Sequence, residues 1–317
     1  MKIDRDMSTV RDSSLDYAKG FAINLIVIYH LYSFFDRNVG SLVYDFCHAI
    51  QLPIFFYISG FLVRTSINNN RFQLRRKAVR LLLPFIMFYL IWGLIDKQNF
   101  VNFVFDEFKL GYWFVLVLFE MMICYTAIKS IKNSLYSHIV FMIALSLYEF
   151  LIPRDNLLNI FLCSNLLWHY YPFFLIGIYS DRIRKIMQLK YCVIFFLVFL
   201  TAFYLYITYR YKPLVPICNL ASLFLFMTLF TNIKLPMKKY YCKVGVYSLQ
   251  IYLVHFLIIH SICIYLPMTS NRLIEFAYYF VLANLIIILI LYLSVFTLKY
   301  KWISLLLFGF QQNISFK

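Results

Sequence analysis

Ten apolar runs divide this chain, at roughly 20–35, 42–63, 81–95, 110–128, 136–152, 165–180, 191–209, 214–232, 244–266 and 273–298. A helix rises about 1.5 Å per residue, so about 20 residues cross the roughly 30 Å of bilayer hydrocarbon. Most of the runs are that long; the first and sixth are marginal. Composition removes the soluble alternative, because 63% of the 317 residues are hydrophobic and only 14% are charged. Soluble chains sit near 45–50% and about 25%. A single water-soluble core of this size cannot hide the excess, so lipid must cover it. The expected fold is an all-α membrane protein, a bundle of about ten transmembrane helices forming one domain over 1–317. The stretch 302–310 is too short to span and is expected at the interface. The mixed-charge N-terminus shows no small-residue cleavage site, so a removable signal peptide is not expected.

The loops orient the bundle. Of the 30 Lys and Arg, 23 fall in the N-terminal tail, 64–80, 129–132, 182–190, 234–243 and the C-terminal tail. The other 7 are Arg37, Lys97, Lys109, Arg154, Arg210, Lys212 and Arg272. Cytoplasmic loops collect Lys and Arg, so both termini are expected inside. In a soluble protein this basic excess would suggest nucleic acid. Here the bases cluster between apolar runs, which points to topology signals and anionic head groups, with membrane lipid as partner and no nucleic acid. The seven Cys are scattered and form no CxxC, so they read as small apolar helix residues and no metal site is expected.

An ionisable side chain inside a span is costly and needs a partner or a task. In LDYAKGFAINLIVIYH (15–30), Lys19 and His30 are eleven residues apart, which brings them to within about 20° of one face and about 16 Å apart in depth. Asp16, three residues before Lys19, can pair with it. The plainer account is a snorkelling Lys and a His bonded to a nearby carbonyl. In FQLRRKAVRLLLP (72–84), Arg76, Lys77 and Arg80 share a helical turn, which suits phosphate groups or a simple topology anchor. Pro53 and Gly60 within 53–63 mark a kink or a close backbone approach, with Ser59 supplying a hydroxyl. Trp113 and Glu120, seven apart, share a face; Glu120 can orient His30, pair with a base or stay protonated. Ser248, Tyr252 and His255 form one polar stripe, either functional or a hydrogen-bonded packing seam. His48, Glu149, His169 and His260 lie in or near spans without a distinct role.

Together these fragments resemble the membrane acyltransferase-3 family, which transfers acyl groups, usually acetyl, to sugars of bacterial surface polysaccharides. Lys19 and His30 match its Arg/Lys-x10-His pattern, and IFFYISGFLV is similar to its Phe-Ser-Gly-Phe segment. RRKAVRLLLP resembles its Arg-x-x-Arg, with Lys77 standing at the first base and Arg80 at the second. YWFVLVLFEMMICY and VYSLQIYLVH resemble its Trp-Phe and Ser-x-x-Ile-Tyr-Leu-x-His elements. The resemblance implies a co-substrate, acetyl-CoA, and no permanently bound cofactor. It implies catalysis by His30 as base with Lys19, Asp16 and Glu120, and substrate binding by Arg76, Lys77, Arg80, Ser59, Trp113, Ser248, Tyr252 and His255. The acceptor would be a glycan or lipid-linked sugar at the bacterial cytoplasmic membrane. The competing class is a transporter or flippase of polysaccharide intermediates, whose intramembrane His, Glu and Lys would form a substrate path.

Overall fold

The computed structural model describes residues 12–34, 41–95, 105–106, 108–129, 131, 134–234, 236–262 and 271–309. Residues 1–11 and 310–317, Arg37, Lys97 and Cys263 lie outside the described residues. The helices are α1 (Ser13–Ser33), α2 (Leu42–Asn68), α3 (Leu74–Ile95), α4 (Trp113–Lys129), α5 (Ser134–Leu151), α6 (Leu157–Leu162) and α7 (Ser164–Ile178). They continue as α8 (Ser180–Ile183), α9 (Cys192–Tyr209), α10 (Val215–Asn232), α11 (Lys238–Val246), α12 (Ser248–Ile262), α13 (Arg272–Thr297) and α14 (Lys301–Phe308). Among the described residues there is no strand. Their starts follow local chemistry: the side chains of Asp12, Ser41 and Asn271 accept from the first free N–H groups of α1, α2 and α13.

Seven stretches of described residues are long and apolar enough to cross a membrane: α2, α3, α5, α6 with α7, α9, α10 and α13. Counting α11 and α12 as one broken span makes eight. Two of the ten apolar runs fall short of that measure. They are α1, whose first turns carry Asp16 and Lys19, and α4, which is 17 residues long. Of these, α1 lies inside the bundle and buries 14 of its 21 residues. A helix wrapped by protein rather than lipid need not be apolar all round. By contrast α5 and α9 bury few residues and turn an apolar surface outward, as lipid-facing helices do.

Glycines set the two closest helix pairs. Gly20 and Gly245 bring α1 against α11, and Gly60 and Gly177 bring α2 against α7. A Cβ at any of the four would collide with a facing carbonyl, of Tyr241, Asp16, Phe174 and Tyr57 respectively. Small residues permit this approach where lipid supplies no hydrophobic drive between helices. Gly60 therefore serves the close approach that its position suggested, while Pro53 sits within an unbroken α2.

Three local features go beyond the sequence reading. The ninth run is not one straight span, since α11 and α12 meet at 81° across Tyr247. The sixth is preceded by α6, joined to α7 through Cys163 in a left-handed conformation (φ 47°). Lys301–Phe308, too short to span as expected, forms α14, which packs on α3; Gly309 (φ +67°) lies so close to the Arg80 backbone that no Cβ fits there.

Polar ties cross the bundle. Asn24 of α1 donates to Asn284 of α13 (3.0 Å), which also accepts from Tyr240 of α11 (2.8 Å). Arg210, after α9, bonds the buried Asp45 of α2 at 2.5 Å. Arg64 pairs with Asp181 and donates to Ser180.

Candidate active site

Four helices each turn one continuous stripe toward the same interior space. On α1 it reads Lys19, Ile26, His30 and Ser33; on α2, Tyr44, His48, Gln51, Leu52, Phe55, Ser59, Leu62 and Val63. On α4 it reads Phe114, Leu118 and Met122, and on α12 Ser248, Tyr252 and Phe256. The steps are mostly three, four or seven residues, the spacing of one helical face. Two cavities lie along these stripes, of about 400 Å³ and about 460 Å³. They share only Ile26, Phe114 and Tyr252 in their linings, so these three side chains form a septum between them.

The smaller cavity is cationic. Lys19, Lys77 and Arg80 line it, with Ser59, Ser248 and Gln250 among otherwise apolar walls. Lys19 Nζ donates to Asp16 at 3.0 Å, the pair expected from their spacing. The bend at Tyr247 starts α12 at this cavity, so its N-terminal residues Ser248, Leu249 and Gln250 join the lining. Discontinuous spans place the positive end of a helix dipole inside a membrane in this way. Lys77 and Arg80 both line this cavity, and Arg76, an exposed side chain one turn before Arg80, does not.

The larger cavity holds His30. Tyr29, Tyr44, His48, Gln51, Asp106, Trp113 and Tyr170 accompany it. Tyr29 and Tyr44 share a hydrogen bond at 2.7 Å and stack with ring centroids 4.4 Å apart. Trp113 stacks on Tyr170 (5.6 Å, 23°), and Tyr170 on Phe56 (4.9 Å, 19°), which gives one wall a flat aromatic face. Gln51 is 2% exposed and its Oε1 has no partner among the described residues.

The septum is itself tied down. The Tyr252 hydroxyl donates to the Gly111 carbonyl (2.6 Å) and accepts from the Phe114 N–H (3.2 Å), a first-turn donor of α4. Tyr252 therefore acts first as a clamp between α12 and α4. His255, one turn further, leaves the cavity surface and meets His30, ring centroids 5.2 Å apart. Glu120 lines neither cavity. The cavity face of α4 runs through Phe114, Leu118 and Met122, and Trp113 reaches it from the neighbouring stripe because its ring is long. Among the described residues no three His, Cys, Asp or Glu gather as a metal site would require.

A family model described as an acyltransferase domain matches residues 12–306, nearly the whole chain. The chain belongs to the acyltransferase-3 family. It is a multi-pass membrane acyltransferase. No curated protein and no solved structure matches it. Within this acyltransferase the sequence reading missed Gln51, Gln250, His48, Tyr29, Tyr44 and Tyr170 as cavity residues. A glutamine or tyrosine in an apolar run carries no local mark of the side it faces. Only the stripe through His30 on α1 and its counterparts on α2 could have indicated the register, since Tyr44, His48 and Gln51 repeat at helical spacing.

Proposed function

We propose that this acyltransferase moves an acetyl group from cytosolic acetyl-CoA to a hydroxyl of a bacterial surface or lipid-linked glycan, at the cytoplasmic (inner) membrane. The observation that carries this reading is the pair of cavities on one set of helix stripes, cations in one and His30 in the other. Phosphates of the donor suit Lys19, Lys77 and Arg80, with the guanidinium supplying paired donors. The narrow acyl-bearing arm suits apolar walls broken by Ser59, Ser248 and Gln250. The thioester then reaches the septum at Ile26, Phe114 and Tyr252.

On the far side, a sugar finds the flat face of Trp113 and the polar groups of Gln51, Tyr29 and Tyr44. His30 takes the proton of the acceptor hydroxyl as its oxygen attacks the thioester carbonyl. The C–S bond breaks, the acetyl group stays on the sugar oxygen, and the proton passes to the CoA thiolate. No permanently bound cofactor enters this scheme; acetyl-CoA is a co-substrate.

Mass spectrometry of the host's surface glycans, with and without the gene, tests the reading. Loss of one acetyl increment is expected on deletion, and also with His30→Ala and His30→Gln at normal membrane levels. A transporter or flippase would change the amount of exported glycan and leave its acetylation untouched. Near-normal acetylation by both His30 variants would remove the imidazole from the chemistry.

A further inference from the structure

The geometry points to His255 as the residue that positions His30, the two imidazoles working as a dyad; this rests on the acyl-transfer reading above. His255 is 1% exposed and lines neither cavity, so it cannot meet a substrate there. Its Nδ1 lies 2.9 Å from the carbonyl of Ile251. A carbonyl only accepts, so Nδ1 carries the proton and Nε2 presents a lone pair. That Nε2 is buried and has no hydrogen-bond partner among the described residues. A buried acceptor left unmatched costs about 1–3 kcal/mol, so such groups are rarely kept without a use.

The neighbour able to supply a donor is His30, at a centroid separation of 5.2 Å and an interplanar angle of 45°. One N–H···N bond of about 3 Å between two imidazoles gives centroids about 5 Å apart. The observed separation matches that distance, so a His30 N–H turned toward His255 is within reach of its Nε2. The other His30 nitrogen then faces the larger cavity as the unprotonated base. When that nitrogen takes the acceptor's proton, the opposite N–H stays on the His255 lone pair and stabilises the imidazolium. Phe256 and Tyr29 pack edge-on to the His30 ring (both at 5.2 Å) and limit its other orientations.

The test uses the full-length protein in detergent and in membranes. His255→Phe keeps the ring and removes both nitrogens, while His255→Gln keeps an amide acceptor near the Nε2 position. Turnover with acetyl-CoA, read as acetyl label entering the membrane glycan fraction, should fall about 100-fold in His255→Phe, with the acetyl-CoA KM little changed. His255→Gln should recover much of that loss.

Carbethoxylation of His30 by diethyl pyrocarbonate, followed by mass spectrometry with His169 as internal reference, should slow several-fold in His255→Phe and recover in His255→Gln. This second reading does not depend on acyl transfer. Slowed His30 modification with undiminished turnover would support the dyad and overturn the role of His30 as base. Unchanged His30 modification in folded His255→Phe, whatever the turnover, would overturn the dyad.

Discussion

Arg76, Lys77 and Arg80 read alike in the sequence, as three cations on one turn, and the fold separates them. Lys77 and Arg80 line the cationic cavity, whereas Arg76, one turn before Arg80, does not. A topology signal counts charge and ignores its shape; a phosphate site does not, because the guanidinium fork makes paired bonds that an ammonium cannot. Arg80→Lys should therefore cost about 1–3 kcal/mol of donor binding, or about one to two decades in affinity. It should appear as a raised acetyl-CoA KM with the acceptor KM little changed. Arg76→Lys is the matched control and should leave both constants alone. Titrations of acetyl-CoA in membranes decide it: equal curves for the two variants would leave Arg80 as a topology signal. Arg210 cannot serve as that control, because it is bonded to the buried Asp45. Side-chain roles of this kind were only partly legible. The Asp16–Lys19 pair follows from a three-residue spacing and was found as expected. His30 meeting His255 depends on how α1 and α12 cross, which no local spacing encodes.

Helices carry the site by stripes, and their crossings set its register. The α1 stripe of Lys19, Ile26 and His30 was readable because a single helix holds it. The break between α11 and α12 was not readable, since 244–266 reads as one run of span length and no proline marks Tyr247. Glu120 shares a face with Trp113 by spacing, yet it lines neither cavity, whereas Phe114, Leu118 and Met122 of α4 line the cationic one. The α1–α11 crossing is the element on which the cationic cavity depends, because Gly245 abuts the Asp16 carbonyl one turn from Lys19. Gly245→Ala would drive a Cβ into that backbone, and no rotamer relieves it. The helices must part, at about 1–3 kcal/mol for overpacking and occasionally more. We expect a lowered melting temperature in detergent and a raised acetyl-CoA KM as Lys19 shifts. Val198→Leu, on the outward surface of α9, should change neither. An unshifted melt for Gly245→Ala would mean that the crossing is loose.

At the scale of the molecule, the alternation of helix direction and the charge count bear on the same question. From Lys19 to His30 α1 runs from the cationic cavity to the histidine cavity; α2 runs back from Tyr44 to Ser59, α4 from Trp113 to Met122, and α12 returns from Ser248 to Phe256. The cationic cavity thus opens at the end that holds the N-terminus of α1 and the loop between α2 and α3. That loop belongs to the 64–80 segment, one of those contributing to the 23 Lys and Arg of the richer side. Positive charge marks the cytoplasmic side, and acetyl-CoA is a cytosolic donor, so the orientation and the chemistry agree only if this end faces inward. Span number was only partly legible, because α1, wrapped by protein, carries Asp16 and Lys19 in its first turns and α4 is only 17 residues long. Single cysteines at Asn69, Lys185 and Lys239, all exposed, should resist a membrane-impermeant maleimide in intact cells and react after lysis. A cysteine at Arg154, on the opposite side, should react in both. Labelling of Asn69→Cys in intact cells would put Lys77 and Arg80 on the outer face, away from any cytosolic thioester, and the donor assignment of that cavity would fall with it.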